Sequence, residues 1–186
     1  MANLGNFDAN QVDPALSFDA LPTGKYLATI TESDVEAAQA DWGAGIVEIG
    51  KVFLDKGNYT ARAQEMIDAL YGYDLGPVLF KPTMASGEQT FRPTKRGALS
   101  YFVGHDPEYP LDSGFGLKGW RDVQSETAAS YIDGDVAMWM GQVTMTDEDG
   151  EVTKVDKSFG YKRVADGELR IVLHHSSLPY QPWANS

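Results

Sequence analysis

The apolar residues of the first half recur at helical spacing, and those of the second half alternate. Trp42, Ile46, Ile49, Val52 and Phe53 follow one another at steps that keep one helical face, up to Gly57. Just ahead, Ser33-x-x-Glu36 has the form of a capping box. There a hydroxyl and a carboxylate each satisfy an orphan backbone N–H, so a helix is expected to open at Ser33. Asn58 or Thr60 can cap a second helix through Tyr71, with Ala63, Ile67 and Leu70 on one face and Gly72 as its C-terminal stop. Val78-Leu79-Phe80 predicts a short strand and Gln89 to Arg92 another. Thr94 can cap a helix over 95–103 that Gly104 ends.

Three long strand-like runs come next, at about 119–132, 135–146 and 152–164, and a fourth spans Leu169 to Ser177. The segments between them, Asp133-Gly134, Asp147 to Gly150 and Ala165-Asp166-Gly167, each carry Asp and Gly, as tight hairpins require. Alternation sends Met138 and Met140 to one face of their strand and Trp139 and Met145 to the other. Helices first and a meander afterwards predict an α+β fold, with helices on one face of a curved antiparallel sheet around an apolar pocket. Residues 1–30, rich in Asn, Asp, Pro and Ala, read as an extended N-terminal arm, and 31–186 as the single domain.

The 186 residues suffice for one core, and no apolar run reaches the roughly 18 residues of a membrane helix, so no membrane partner is expected. Fifteen Lys and Arg against 27 Asp and Glu give a net charge of −12. Nucleic acid is therefore not an expected partner, because phosphate binding runs on clustered positive charge. The absence of cysteine removes disulfides, thiolate nucleophiles and Cys-bound zinc from consideration.

Few motifs carry chemistry. Gly114-Phe115-Gly116-Leu117-Lys118-Gly119 matches GxGxxG, but a loop precedes it and a strand follows, whereas dinucleotide binding needs a helix opening there. Asp147-Glu148-Asp149 reads as a solvated hairpin tip. His174-His175 is the most informative pair, and His105 is the third and last histidine. Neighbours on a strand point to opposite faces, so the pair would need a bulge to share a metal. The same alternation groups His174 and Ser176 with Val172, and His175 and Ser177 with Ile171 and Leu173.

Leu169 to Tyr180, with its His-His-Ser-Ser block, resembles the C-terminal strand of the iota-class carbonic anhydrases. These lie within the nuclear-transport-factor-2-like superfamily and are related to the calcium/calmodulin-dependent kinase II association domain. Asp41-Trp42-Gly43-x-Gly45-Ile46, Val78-Leu79-Phe80-Lys81-Pro82-Thr83, Gly97 to Gly104 and Phe159-Gly160-Tyr161 add to the resemblance, which covers about 34–182. It implies a cone-shaped, cystatin-like α+β fold, usually a homodimer, and reversible hydration of CO2 to bicarbonate. It further implies that some members use no metal, with manganese proposed for others, and that members occur in algal plastids and in bacteria. No cofactor and no metal ligand is assigned to this chain. The family's pocket residues correspond to Thr83, Tyr101, His174 and Ser176.

Those four residue types suit the reaction. The Thr83 and Ser176 hydroxyls can orient water and bicarbonate oxygens, the Tyr101 phenol can donate to the forming anion, and His174 can take the proton or pass it on. Two other functions fit the same fold. One is a non-catalytic assembly or small-ligand module. The other is an isomerase or cyclase for a larger ligand, which needs a carboxylate base in the pocket; Glu126 and Asp156 lie on strands, and the pattern places neither facing inward.

Overall fold

The structure, a computed structural model, describes residues 28–182, so the expected arm over 1–30 lies almost wholly outside the described residues. Helix α1 spans Glu32–Leu54 and α2 Tyr59–Leu70, and strand β1 (Leu79–Lys81) leads to α3 (Lys95–Val103). Strands β2 (Asp122–Asp133), β3 (Val136–Thr146), β4 (Val152–Arg163) and β5 (Leu169–Ser177) follow as a meander, close to the predicted bounds. They form one sheet in the order β1-β5-β4-β3-β2. The expected antiparallel pairing holds along the meander, but β1 joins the edge parallel to β5.

Helix α1 opens two residues earlier than expected. Thr31 is the cap: its hydroxyl accepts from the Asp34 N–H, and the Asp34 carboxylate accepts from the Thr31 N–H. Two capping boxes overlap in this sequence. The earlier one brings Ile30 before the cap and Val35 one turn in, both buried, which is the arrangement of a hydrophobic staple. Asn58 caps α2, but Gly72 does not stop it through a left-handed turn. The sheet stops it: Tyr71 takes extended backbone and bridges Ile171, whose carbonyl accepts the Gly72 N–H. Thr94 and Gly104 bound α3 as predicted, and Gly104 at φ 66° is the left-handed stop.

No strand forms over Gln89 to Arg92. A 3-10 turn occupies Gly87–Gln89, and Arg92 makes one backbone bond to Phe80 before Pro93, which has no N–H to extend a ladder. The acidic tip at Asp147 to Asp149 and the Gly114–Gly119 stretch behave as read. The latter is a single 3-10 turn, Phe115–Leu117, running into β2, and it opens no helix for a pyrophosphate.

The helices cover the inner sheet face. Trp42, Ile46 and Ile49 of α1 and Met66 and Ile67 of α2 are buried, as are Trp139, Val143 and Met145 of β3 and Phe159 and Tyr161 of β4. Met138 and Met140 face outward and are 53% and 55% exposed, as their alternation requires. Bulges interrupt that alternation twice. Between Thr127 and Ala129 the register of β2 slips opposite Gly141, where an added Cβ would lie 2.1 Å from the Glu126 carbonyl oxygen. In β5 the register slips opposite Gly160 and Tyr161, leaving Val172 without a partner. That extra residue corrects the face assignment made from strict alternation. Ile171 turns inward together with His174 and Ser176, and His175 stays outside.

Candidate active site

Parallel pairing of β1 with β5 sets Phe80 against His174 and Lys81 against His175. Pro82 then carries the chain past the end of β1, which brings Thr83 alongside Ser176. The Thr83 Oγ1 donates to Ser176 Oγ at 2.6 Å, and Lys81 Nζ donates to the Ser176 carbonyl at 3.0 Å. Tyr101, from α3, brings a third hydroxyl to the same place, where it meets the Thr83 side chain and the Met84 backbone. Burial pushes the Tyr101 phenol well above its ordinary pKa, so it remains a protonated donor throughout the neutral range. Its ring stacks on Phe115 at 5.3 Å and lies against Phe80 at 5.6 Å.

Beside Tyr101 is a hollow of about 30 Å³, bordered also by Met84, Asp112 and Phe115. A cavity needs about 10–15 Å³ of such space to hold one water, so this one takes only small molecules. The deep pocket expected from the fold class is thus reduced to a small one. The rings of Tyr71, Phe80, Phe102 and Phe115 pack against one another and fill the interior. Larger clefts of about 710 and 650 Å³ lie elsewhere, the first lined by Asp41, Glu48 and Arg62, the second by Asp68, Tyr73 and Lys95. Neither includes any of the four candidate residues.

His174 shares the inner face with Ser176 but hydrogen-bonds elsewhere. Its Nδ1 is 2.9 Å from the Tyr71 hydroxyl, and its Nε2 is 2.8 Å from Lys157 Nζ. Tyr71 also accepts from the Trp42 indole N–H at 2.9 Å. The imidazole stacks on Phe80 at 4.5 Å and lies 4.6 Å from Phe159. Burial above all holds its pKa well below the usual histidine value, so it is neutral. Phe80 touches both groups of residues, with His174 on one side and Tyr101 on another.

The structure therefore brings Thr83, Tyr101 and Ser176 to one point, with His174 one inward position away in a second network. Tyr71, Trp42, Lys81 and Lys157 belong to these networks and were not singled out from the sequence. A signal for Lys157 was present: Lys157, Phe159 and Tyr161 are spaced by two, so the aromatic pair fixes the lysine on the inner face.

Other charged groups do different work. Asp112 borders the hollow but is fully engaged, accepting two bonds from Arg92 at 2.9 and 2.8 Å and one from Ser100 at 2.6 Å. Glu126 is exposed, and Asp156 bonds Gln142 in an outer-face groove shared with His175. Neither carboxylate enters the hollow. His175 points outward and His105 lies on an exposed loop, so the three histidines do not converge. Among the described residues no group of three or more His, Asp or Glu is placed to hold a metal ion.

Comparison with known proteins settles the lineage. A sequence model of the metal-independent carbonic anhydrases matches residues 33–178. This chain belongs to that family. A metal-independent carbonic anhydrase from a Nostoc species is 46% identical over 175 residues, 93% of this chain and 85% of the relative. The crystal structure of a cyanobacterial iota-carbonic anhydrase complexed with bicarbonate superposes with a TM-score of 0.82 at 49% identity. It covers 83% of this chain and 95% of that one. A Xanthomonas campestris protein assigned to the calcium/calmodulin-dependent kinase II association domains shares the fold, with a TM-score of 0.50 at 19% identity over 87% of this chain and 99% of its own. The α+β, nuclear-transport-factor-2-like architecture expected from the sequence is the one this carbonic anhydrase family member adopts. No helix among its described residues is long and apolar enough to cross a membrane.

Proposed function

We propose that this protein catalyses the reversible hydration of CO2 to bicarbonate and a proton without a metal ion, with Thr83, Tyr101, His174 and Ser176 as its site. The observation that carries this is the meeting of three hydroxyls, of which the Tyr101 phenol also borders a hollow of about 30 Å³, in a chain 49% identical to a structure complexed with bicarbonate. The size of the hollow favours a three-atom substrate and disfavours the larger ligand of an isomerase or cyclase.

The directly bonded Thr83–Ser176 pair orients the attacking water beside it. As the water oxygen forms a bond to carbon, one C=O π bond breaks and its electrons move to oxygen, where the Tyr101 phenol donates. A preorganised donor of that kind contributes about 10²–10³-fold. The proton leaves the water through the hydroxyl pair to a solvent water at half-buried Thr83, a relay that reverses the pair's bond so that Ser176 donates to Thr83. His174 has protein partners on both ring nitrogens, so any proton it handles passes through Tyr71 or Lys157. CO2 is neutral, so a net charge of −12 does not oppose its entry.

Two copies of the chain pair through the outer sheet face in this reading, as a homodimer. Tyr131, Met138 and Met140 make that face apolar and exposed, around a groove of about 390 Å³. A Met140→Glu variant is expected to shift the sedimentation coefficient to that of a monomer.

Stopped-flow CO2 hydration by purified protein, with and without a strong chelator, tests the function. Equal rates in both support it. Activity that requires added metal overturns the metal-free mechanism. No hydration in either case leaves the assembly-module function.

A further inference from the structure

The chain Trp42–Tyr71–His174–Lys157 has a direction that fixes every proton in it. An indole N–H can only donate, so the Tyr71 oxygen accepts from Trp42. The Tyr71 proton then needs an acceptor, and His174 Nδ1 at 2.9 Å is the one available among the described residues. Burial keeps Tyr71 protonated, so this bond is always offered. A neutral imidazole that accepts at Nδ1 carries its proton at Nε2. That nitrogen is 2.8 Å from Lys157 Nζ, and an ammonium there would set one donor against another. Only an amine with a free lone pair completes the chain.

We propose that Lys157 is an uncharged amine that accepts the Nε2–H bond of His174, and so acts as a positioning residue holding the imidazole in a single tautomer.

Its surroundings agree. Lys157 is 5% exposed, and its neighbours on β4 show what it lacks: Lys154 pairs with Glu126 and Lys162 with Asp135, while Lys157 has no acidic partner among the described residues. Burial alone drives its pKa well below the ordinary lysine value. The titratable groups set against it are His174 of β5 and, through His174, Tyr71 at the end of α2. The Trp42 ring, 4.0 Å from Nζ, would attract a cation. That attraction is smaller than the cost of burying an unpaired ammonium, and the ring face also receives an amine N–H. In the register Lys157 stands opposite Ser176, so the fixed imidazole and its amine form the wall behind the hydroxyl cluster.

The role in catalysis rests on the function proposed above, but the tautomer does not. The first experiment is ¹⁵N NMR of the intact wild-type protein, reading the His174 ring nitrogens and Lys157 Nζ at neutral pH. The expected result is a protonated Nε2, an unprotonated Nδ1 and an amine signal from Lys157. A proton on Nδ1, or an ammonium signal, overturns the inference whether or not the protein hydrates CO2. The second is Lys157→Met, which keeps the side-chain length and removes the lone pair. Loss of the single-tautomer signature, with kcat/KM for hydration reduced by up to about a hundredfold, supports the positioning role. An unchanged signature and rate overturn it. A wild type showing the expected tautomer but no hydration would defeat the proposed function and leave the protonation state of Lys157 standing.

Discussion

Thr83 Oγ1 lies 2.6 Å from Ser176 Oγ, joining a residue just past the first strand to one near the end of the last. Each hydroxyl orients the other, so the two act as one unit. Thr83→Ala and Ser176→Ala are each expected to lower kcat/KM for CO2 hydration by about a hundredfold. The double variant should lose little more than either single one, because groups acting as a unit are not additive. Stopped-flow rates on all three variants, with melting curves to establish folding, check this; additive losses would break the pair into independent residues.

Tyr101→Phe removes a donor and keeps the packing against Phe115 and Phe80. The expected outcome is a large rate loss with little change in Tm. Because burial raises the phenol's pKa, the wild-type rate should show no decline from this group as pH climbs to about 10, the unperturbed tyrosine value. A falling limb near that pH, absent in the Phe variant, would mean that the phenol ionises normally and is not the buried donor described.

The buried amine has a stability signature with a definite sign. Lys157 has a depressed folded pKa, so between that value and about 10.4 the unfolded chain binds a proton that the folded chain does not. Stability then rises with pH over that range, by up to about 1.4 kcal/mol per pH unit. Lys157→Met lacks this dependence. The variant should be the more stable protein at pH 7.5, and the gap should narrow toward pH 9.5, a window in which His174 is almost wholly neutral in both the folded and the unfolded state. Urea melts at several pH values measure it, and a gap independent of pH would contradict the assignment.

Arg92 and Asp112 form a bidentate pair closed off from solvent, with Ser100 as a third partner. Asp112→Ala strands the guanidinium and is expected to cost about 3–5 kcal/mol. Gly141→Ala, where the new methyl meets the Glu126 backbone, is expected to cost about 1–3 kcal/mol. Chemical denaturation of both variants gives the values. A neutral Asp112→Ala would mean that water reaches Arg92 in solution.

Regular patterns made most of the fold legible. The four long strands and α3 stand close to where alternation, Asp-Gly turns and the Thr94 and Gly104 signals put them. What misled were choices between equivalent local signals. Thr31 and Ser33 both begin capping boxes, and only the burial of Ile30 and Val35 decides for Thr31. The bulge at Val172 shifts the phase of β5, which no periodicity in its own sequence reveals. At the site, the resemblance led to Thr83, Tyr101, His174 and Ser176, whereas Tyr71 and Lys157 escaped notice. Their importance comes from contacts made across 103 and 17 residues of chain, respectively. The modest size of the hollow was equally hidden, since it depends on how four aromatic rings nest.

In the proposed function that hollow sieves by volume. Met84, Leu111 and Phe115 border it, and at about 30 Å³ it suits small molecules. An aryl ester is too bulky for it, so a p-nitrophenyl acetate assay should stay silent even where gas hydration is brisk.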